Sequence, residues 1–218
     1  MTFAAVEKRY TKHGFYSIIK LQQYQMEDTK GAINRVVGMI NDMPFIFNTE
    51  ADIQGLVYSE LSKEYTKNHP TGLIDSEGER YYTNRVHREY FRGERGRIDT
   101  VVFSEEEIAS IDTHWLCIKT FEGRRYRPIR LQDAIEIKTV GGKGEEATSN
   151  ELRKDIEGLS KLVKEKKAKE AHFLFIIRPQ AKNSRMKRMA NAEKLAREMC
   201  ERNDVQFYCN DYKKLFIS

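Results

Sequence analysis

The chain has 218 residues, with 38 Lys or Arg against 33 Asp or Glu and a formal net charge of +5. This length suits one substantial domain, alone or with a small appendage. No apolar run reaches the roughly 18 residues needed to cross a bilayer, and no signal-peptide segment follows Met1, so a cytoplasmic protein is expected. Cys117, Cys200 and Cys209 are too few and too irregularly spaced for a disulfide framework or a zinc site. The small basic surplus tilts the expectation towards a polyanionic partner.

Residues 1–47 have the apolar spacing of helices. Ile33, Val36 and Ile40 recur at helical intervals, and Met43-Pro44 ends the segment. Aromatic residues near the start alternate with lysines and arginines, a mixture that can also stack on bases and neutralise phosphates. We interpret residues 1–47 as an N-terminal helical extension that packs on the main domain or another subunit, in preference to contacting nucleic acid. Residues 48–218 form the main domain.

A well-signalled helix follows Thr49. Thr49 and Asp52 have the spacing of an N-terminal cap, and an apolar stripe from Ile53 to Leu61 forms the inward face. The polar stretch Thr71–Glu79 is predicted to be a loop. Three acidic residues fall near the inward face of the helix and are candidates for a site: Glu50, Glu60 and Glu64.

Antiparallel strands are predicted in the middle of the chain. Tyr81–Phe91 and Ile98–Phe103 are the two arms of a hairpin around the turn at residues 93–96. A second hairpin is predicted between Trp115 and Leu131. It leads directly into another strand, at residues 134–140.

That strand is the most informative segment of the chain. Because side chains alternate along a strand, Glu136 and Lys138 share one face while Ile135 and Ile137 enter the core on the other. Opposite charges on a largely apolar strand are costly to bury, so they favour a functional interpretation. An earlier apolar strand opens with a single acid, Asp99.

The last third of the chain alternates helices and strands. Thr148 and Glu151 have capping-box spacing before an amphipathic helix, and Phe173–Ile177 is a continuous apolar run typical of a strand covered on both faces. A long helix over residues 183–202 and a strand at Val205–Cys209 follow. The order of elements predicts an α/β fold with a mixed central sheet flanked by helices.

The two acids and the lysine suit hydrolysis of a phosphodiester. Carboxylates of Asp99 and Glu136, with the backbone carbonyl of Ile137, are the hard oxygen ligands that Mg²⁺ or Mn²⁺ prefers. Lys138 would orient or help deprotonate an attacking water and offset negative charge in the transition state. A bound metal would act as Lewis acid and activate that water.

Through these residues the chain resembles the PD-(D/E)XK nuclease superfamily. Ile98-Asp99 stands at the first acid, with Ile98 where the family often has proline, and Glu136-Ile137-Lys138 matches the second half of the motif. The resemblance implies a restriction endonuclease-like core whose leading helix often carries a further Glu. By that resemblance Glu50 is favoured for this role, and Glu60 is the alternate.

One spacing departs from the family pattern. The interval from Asp99 to Glu136 is longer than usual, and we assign the excess to the Trp115 hairpin. Asp112, in Ser110-Ile111-Asp112-Thr113, is therefore an alternate first acid. Asp99 is favoured because its strand is better formed.

The resemblance implies a metal-dependent nuclease that cleaves DNA, for instance a restriction-type endonuclease, with Mg²⁺ or Mn²⁺ as cofactor. DNA is the expected partner, a second copy of the chain is a candidate partner, and no membrane partner is expected. Two alternatives stay open: a catalytically inactive nucleic-acid-binding module on the same fold, and an RNA-directed nuclease of a stress or phage-defence system. Basic residues of the second half are expected to contact backbone phosphates; they are Lys143, Lys154, Lys161, Arg185 and Arg188.

Overall fold

The computed structural model of the chain describes residues 28–44, 47, 49–74, 76–91, 97–111, 130–141, 148–178 and 183–212, the side chains of 91 and 183–186 excepted. The helices are α1 (Thr29–Asp42), α2 (Glu50–Glu64), α3 (Glu105–Ile108), α4 (Ser149–Lys164) and α5 (Asn183–Arg202). The strands are β1 (His69–Ile74), β2 (Arg80–Thr83), β3 (Val86–Phe91), β4 (Arg97–Phe103), β5 (Leu131–Val140), β6 (Ala168–Ile177) and β7 (Gln206–Cys209). None of these helices combines the length and apolarity that crossing a membrane requires.

The centre of the molecule is a five-stranded mixed sheet in the order β3-β4-β5-β6-β7. Strands β3, β4 and β5 pair antiparallel, whereas β5, β6 and β7 pair parallel. The parallel half is joined by the crossover helices α4 and α5, as parallel neighbours require. The prediction of an α/β fold with a mixed sheet between helices is confirmed at this level.

Apolar side chains cover both faces of the sheet. On one face Ile135 and Ile137 of β5 belong to a cluster with α1 and α2, as the strand alternation predicted. On the other face Ala134 and Val140 pack with α4 and α5. Glu136 and Lys138 therefore lie on the α4 side, and Glu136 is buried there. Strand β6 is buried on both faces over Phe173–Ile177, as predicted.

Helix α1 shares its core with the rest of the chain. Its residues Ile33, Val36 and Ile40 are buried in the same cluster as α2 and the sheet. The boundary predicted at residue 47 thus falls between two helices that pack on one sheet face. The part of the predicted extension over residues 1–27 lies outside the described residues. So do residues 112–129, which include most of the hairpin predicted between Trp115 and Leu131.

Both predicted helix caps are present. The Thr49 hydroxyl accepts a bond from the Asp52 amide at 3.1 Å, and the Thr49 amide donates to the Asp52 carboxylate at 2.8 Å. Thr148 and Glu151 make the same reciprocal pair at the start of α4. These caps satisfy amides that a helix start leaves without partners, so they fix where α2 and α4 begin.

The segment between α2 and β3 differs from the prediction. The predicted loop Thr71–Glu79 contains most of β1, which pairs antiparallel with β2. Gly72 fits in β1 because a Cβ there would lie 2.9 Å from the carbonyl oxygen of Ile111. The predicted strand Tyr81–Phe91 is interrupted at Asn84, whose side chain accepts a bond from the Val86 amide and donates to the Tyr65 carbonyl. These side-chain bonds of Asn84 replace the strand ladder at that point.

Candidate active site

The candidate site lies where β4 and β5 separate. The paired ladder between these strands ends at Thr100 and Ile135. Beyond it, the Asp99 amide donates to the Glu136 carboxylate at 3.2 Å, and the Ile137 amide donates to the Asp99 carboxylate at 2.7 Å. Side-chain oxygens thus take the place of backbone carbonyls, and the two acids predicted from sequence lie side by side.

The free edge of β5 also holds the predicted helix acid. Glu50 is the first residue of α2, and its carboxylate accepts bonds from the amide and the hydroxyl of Thr139, both at 3.3 Å. Ile137 and Thr139 are two residues apart, so their amides point to the same edge. A strand residue directs its carbonyl to the same edge as its amide, so the Ile137 carbonyl also faces the gap between the strands.

A glutamine from α2 fixes the first acid. Gln54 is 8% exposed, and its amide nitrogen donates to Asp99 Oδ1 at 2.9 Å. The Gln54 carbonyl oxygen accepts a bond from Arg88 of β3 at 3.4 Å. Asp99 therefore accepts bonds from α2 and from β5, and its carboxylate has a defined orientation.

The electrostatics of the site disfavour further negative charge. Burial raises the pKa of Asp99 from 3.8 to about 7, while the bond from the Ile137 amide lowers it. Negative charge on Glu50 and on Asp155 of α4 contributes to this raised pKa of Asp99. Carboxylates that lie close together, one of which holds a proton near neutral pH, form an environment that a divalent cation would stabilise.

Lys138 supplies positive charge on the same face as Glu136. It is half-buried and forms no ion pair with any described carboxylate. Glu151, in the first turn of α4, has its pKa lowered by a hydrogen bond from the Thr148 amide and by the charge of Lys138. Lys138 therefore lies near the start of α4, on the face of β5 that it shares with Glu136.

The alternate acids have other positions. Glu60 lies ten residues after Glu50, about 15 Å along α2. It is 3% exposed and pairs with Arg35 of α1 and with Lys63, which together lower its pKa, Lys63 most strongly. Glu60 is therefore part of an ion-pair network and is separate from the Asp99 site. Asp112 lies outside the described residues.

The predicted phosphate-contacting residues are dispersed. Lys154 is exposed in the second turn of α4, and Arg188 is exposed in the first half of α5. Lys161 is about 18 Å along α4 from its start and pairs with Glu165. Lys143 and the side chain of Arg185 lie outside the described residues.

The site fits a hard divalent cation by the chemistry of its donors. Asp99 and Glu136 offer carboxylate oxygens, and the Ile137 carbonyl faces the same gap. Among the described residues, no group of three carboxylates or imidazoles that includes Asp99 converges within 4.8 Å. Backbone carbonyl and solvent would complete the ligand set, as is common for Mg²⁺.

Sequence reasoning missed Gln54, Arg88 and Asp155. Gln54 offered a signal, because it is four residues after Glu50 and interrupts the apolar inward face of α2. Arg88 and Asp155 offered none, since isolated charged residues are common on strands and helices. Comparison of the chain with protein-family models, curated proteins and solved structures found no match.

Proposed function

We propose that this chain is a divalent-metal-dependent nuclease that hydrolyses DNA phosphodiester bonds. The observation that carries the proposal is the pairing of Asp99 with Glu136 at the separation of β4 and β5. Glu50 reaches the same strand edge from α2, and Lys138 follows Glu136 on one face of β5. Two acids, a further helix acid and a lysine in this arrangement support phosphodiester chemistry, which needs charge neutralisation and a positioned water.

A bound Mg²⁺ or Mn²⁺ would be held by Asp99, Glu136 and the Ile137 carbonyl. It would supply Lewis-acid stabilisation of the phosphoryl group. Burial and nearby negative charge raise the pKa of Asp99, and a dication beside the carboxylate would offset this rise by favouring the ionised form. Gln54 and the Ile137 amide would keep both Asp99 oxygens in place for that role.

The other residues act on charge and on protons. The Lys138 ammonium would offset negative charge that develops on the phosphoryl oxygens and orient the attacking water. Glu50, accepting bonds from Thr139, would hold that water or accept its proton. Lys154 on the exposed side of α4 would contact the DNA backbone, a sequence-independent interaction that weakens with salt.

The test is cleavage by the purified full chain. Supercoiled plasmid, single-stranded DNA and single-stranded RNA are each incubated with Mg²⁺, with Mn²⁺ or with a chelator. Variants Asp99→Asn, Glu136→Gln and Lys138→Ala are compared with Glu157→Gln and Lys164→Ala, which alter exposed charges of α4.

We expect metal-dependent DNA cleavage that falls at least about a hundredfold in the three site variants and is unchanged in the two controls. Cleavage that persists in Glu136→Gln would contradict the proposal, as would binding of DNA with no cleavage under any metal. Cleavage of RNA alone would retain the site but reassign the substrate.

A further inference from the structure

A second cluster of ligating side chains lies on the sheet face opposite Glu136. Asp133 precedes Glu136 by three residues on β5, about 10 Å along the strand, and it faces α1 and α2. Asp133 is in register with Glu170 of β6, and His172 follows Glu170 on the same face. Parallel pairing thus brings two carboxylates and an imidazole together without any sequence motif.

The three side chains have the spacing of a metal site. One ligand atom from each lies within 4.8 Å of the others, and the His172 Nε2 to Asp133 Oδ1 distance is 2.9 Å. Two ligands of a tetrahedral ion with bonds of about 2.0 to 2.1 Å are roughly 3.3 Å apart, so small side-chain rotations would admit such an ion. His172 is fully buried and Asp133 nearly so, whereas Glu170 reaches the surface.

Outer contacts hold the buried ligands in position. The Thr29 hydroxyl donates to Asp133 Oδ2 at 2.7 Å, and the Tyr65 hydroxyl donates to the same oxygen at 3.4 Å. His172 Nδ1 is bonded to the Tyr208 hydroxyl at 3.2 Å. Ligating carboxylates and imidazoles in proteins are oriented by such contacts from their remaining atoms.

The positively charged side chain of Lys30 already lies at the outer side of this cluster. The ammonium of Lys30 lies 2.9 Å from Glu170 Oε2. Glu170 raises the pKa of Lys30 most, and the charges of Asp133 and Asp28 raise it further. A cavity of about 220 Å³, lined by Lys30, Glu170 and Gln206 among others, opens beside the pair. Glu170 therefore already holds a positive charge, and its side of the cluster is open to solvent.

We propose that Asp133, Glu170 and His172 bind a Zn²⁺-class transition-metal ion, which displaces Lys30 from Glu170. An imidazole beside carboxylates favours such an ion over Mg²⁺, which prefers oxygen ligands alone. The site is independent of the proposed nuclease function, because it shares no residue with the Asp99 site and Asp133 lies about 10 Å from Glu136 along β5.

The test is Zn²⁺ titration calorimetry on the full chain carrying Asp99→Asn, so that the first site contributes little. Two additional changes act on the rim of the cluster, where the fold is not at risk: Glu170→Gln removes a ligand and Lys30→Met removes the competing ammonium. Glu165→Gln is the matched control, because Glu165 is also a surface carboxylate paired with lysines. Co²⁺ absorption provides a second readout of the ligand set.

We expect Zn²⁺ binding that weakens at least tenfold in Glu170→Gln, strengthens in Lys30→Met and is unchanged in Glu165→Gln. Absence of binding both with Lys30 present and in Lys30→Met would overturn the proposal. Equal affinity with and without the Glu170 carboxylate would overturn it as well.

Discussion

The amide of Asp99 donates to the carboxylate of Glu136 at the first position where β4 and β5 no longer pair. The Asp99 carboxylate in turn accepts from the amide that follows Glu136, that of Ile137. The two acids therefore connect the strands as well as forming the candidate site. Replacement by alanine would remove both roles together, whereas Asn and Gln keep an acceptor for the amides. The conservative variants are thus the informative ones.

The pH dependence of stability reports on Asp99. Its pKa of about 7 lies above the ordinary 3.8, so the folded state binds this proton more tightly than the unfolded state. The resulting stability is present at low pH and is lost as the pH rises through about 7. Between pH 5.5 and 8 we expect the free energy of unfolding to fall by about 1–2 kcal/mol more in the natural chain than in Asp99→Asn. Urea unfolding at both pH values measures this, and parallel pH dependences in the two proteins would contradict it.

Divalent metal should stabilise the fold through the same carboxylates. A dication and a proton compete for Asp99, so millimolar Mg²⁺ is expected to raise the unfolding temperature more at pH 8 than at pH 6. Each kcal/mol of binding free energy corresponds to about 2–4 °C in a chain of this size. Glu136→Gln should lose most of the increase, whereas Glu157→Gln should keep it. Equal shifts at the two pH values would argue against metal binding at Asp99.

Gln54 is expected to position Asp99. Its amide donates to Oδ1, and a donor to a carboxylate favours the ionised form. Gln54→Leu removes that donor, so the pKa of Asp99 should rise further and the acid limb of the cleavage pH profile should move to higher pH. We expect about a tenfold loss of cleavage at pH 7 that is partly recovered at pH 8.5. Gln206→Leu, at the exposed first position of β7, is the control. A loss of cleavage that is independent of pH would indicate a purely structural role for Gln54.

Local signals made most of the fold predictable. Thr49 with Asp52 and Thr148 with Glu151 mark two helix starts, because capping depends on residues only three positions apart. The alternation of apolar and charged residues around Glu136 predicted which side chains lie on each face of β5, because this pattern also depends only on neighbouring residues. The break at Asn84 escaped prediction, since the Tyr65 carbonyl that it bonds comes from the end of α2.

Contacts between residues far apart in the sequence distinguish the candidate acids that the sequence alone did not. Glu50 and Glu60 lie near one face of α2, and nothing local distinguishes them. Glu50 meets Thr139, 89 positions later, whereas Glu60 meets Arg35, 25 positions earlier. The cluster at Asp133 and His172 was missed for the same reason, because these residues are 39 positions apart and become neighbours only through β5–β6 pairing.

The two α2 acids should separate catalysis from stability. Glu60 is nearly fully buried against Arg35 and Lys63, and the resulting low pKa means that its contribution is present at neutral pH and is lost in acid. Glu60→Gln should therefore lower the free energy of unfolding by about 1–3 kcal/mol at pH 7 and leave cleavage by the remaining folded protein unchanged. Glu50→Gln should leave the free energy of unfolding nearly unchanged, because Gln still accepts a bond from Thr139. It should lower cleavage, because Gln carries no charge for the reaction. Paired urea unfolding and cleavage assays measure both effects. If Glu60→Gln abolished cleavage while Glu50→Gln did not, Glu60 would replace Glu50 as the acid of the site.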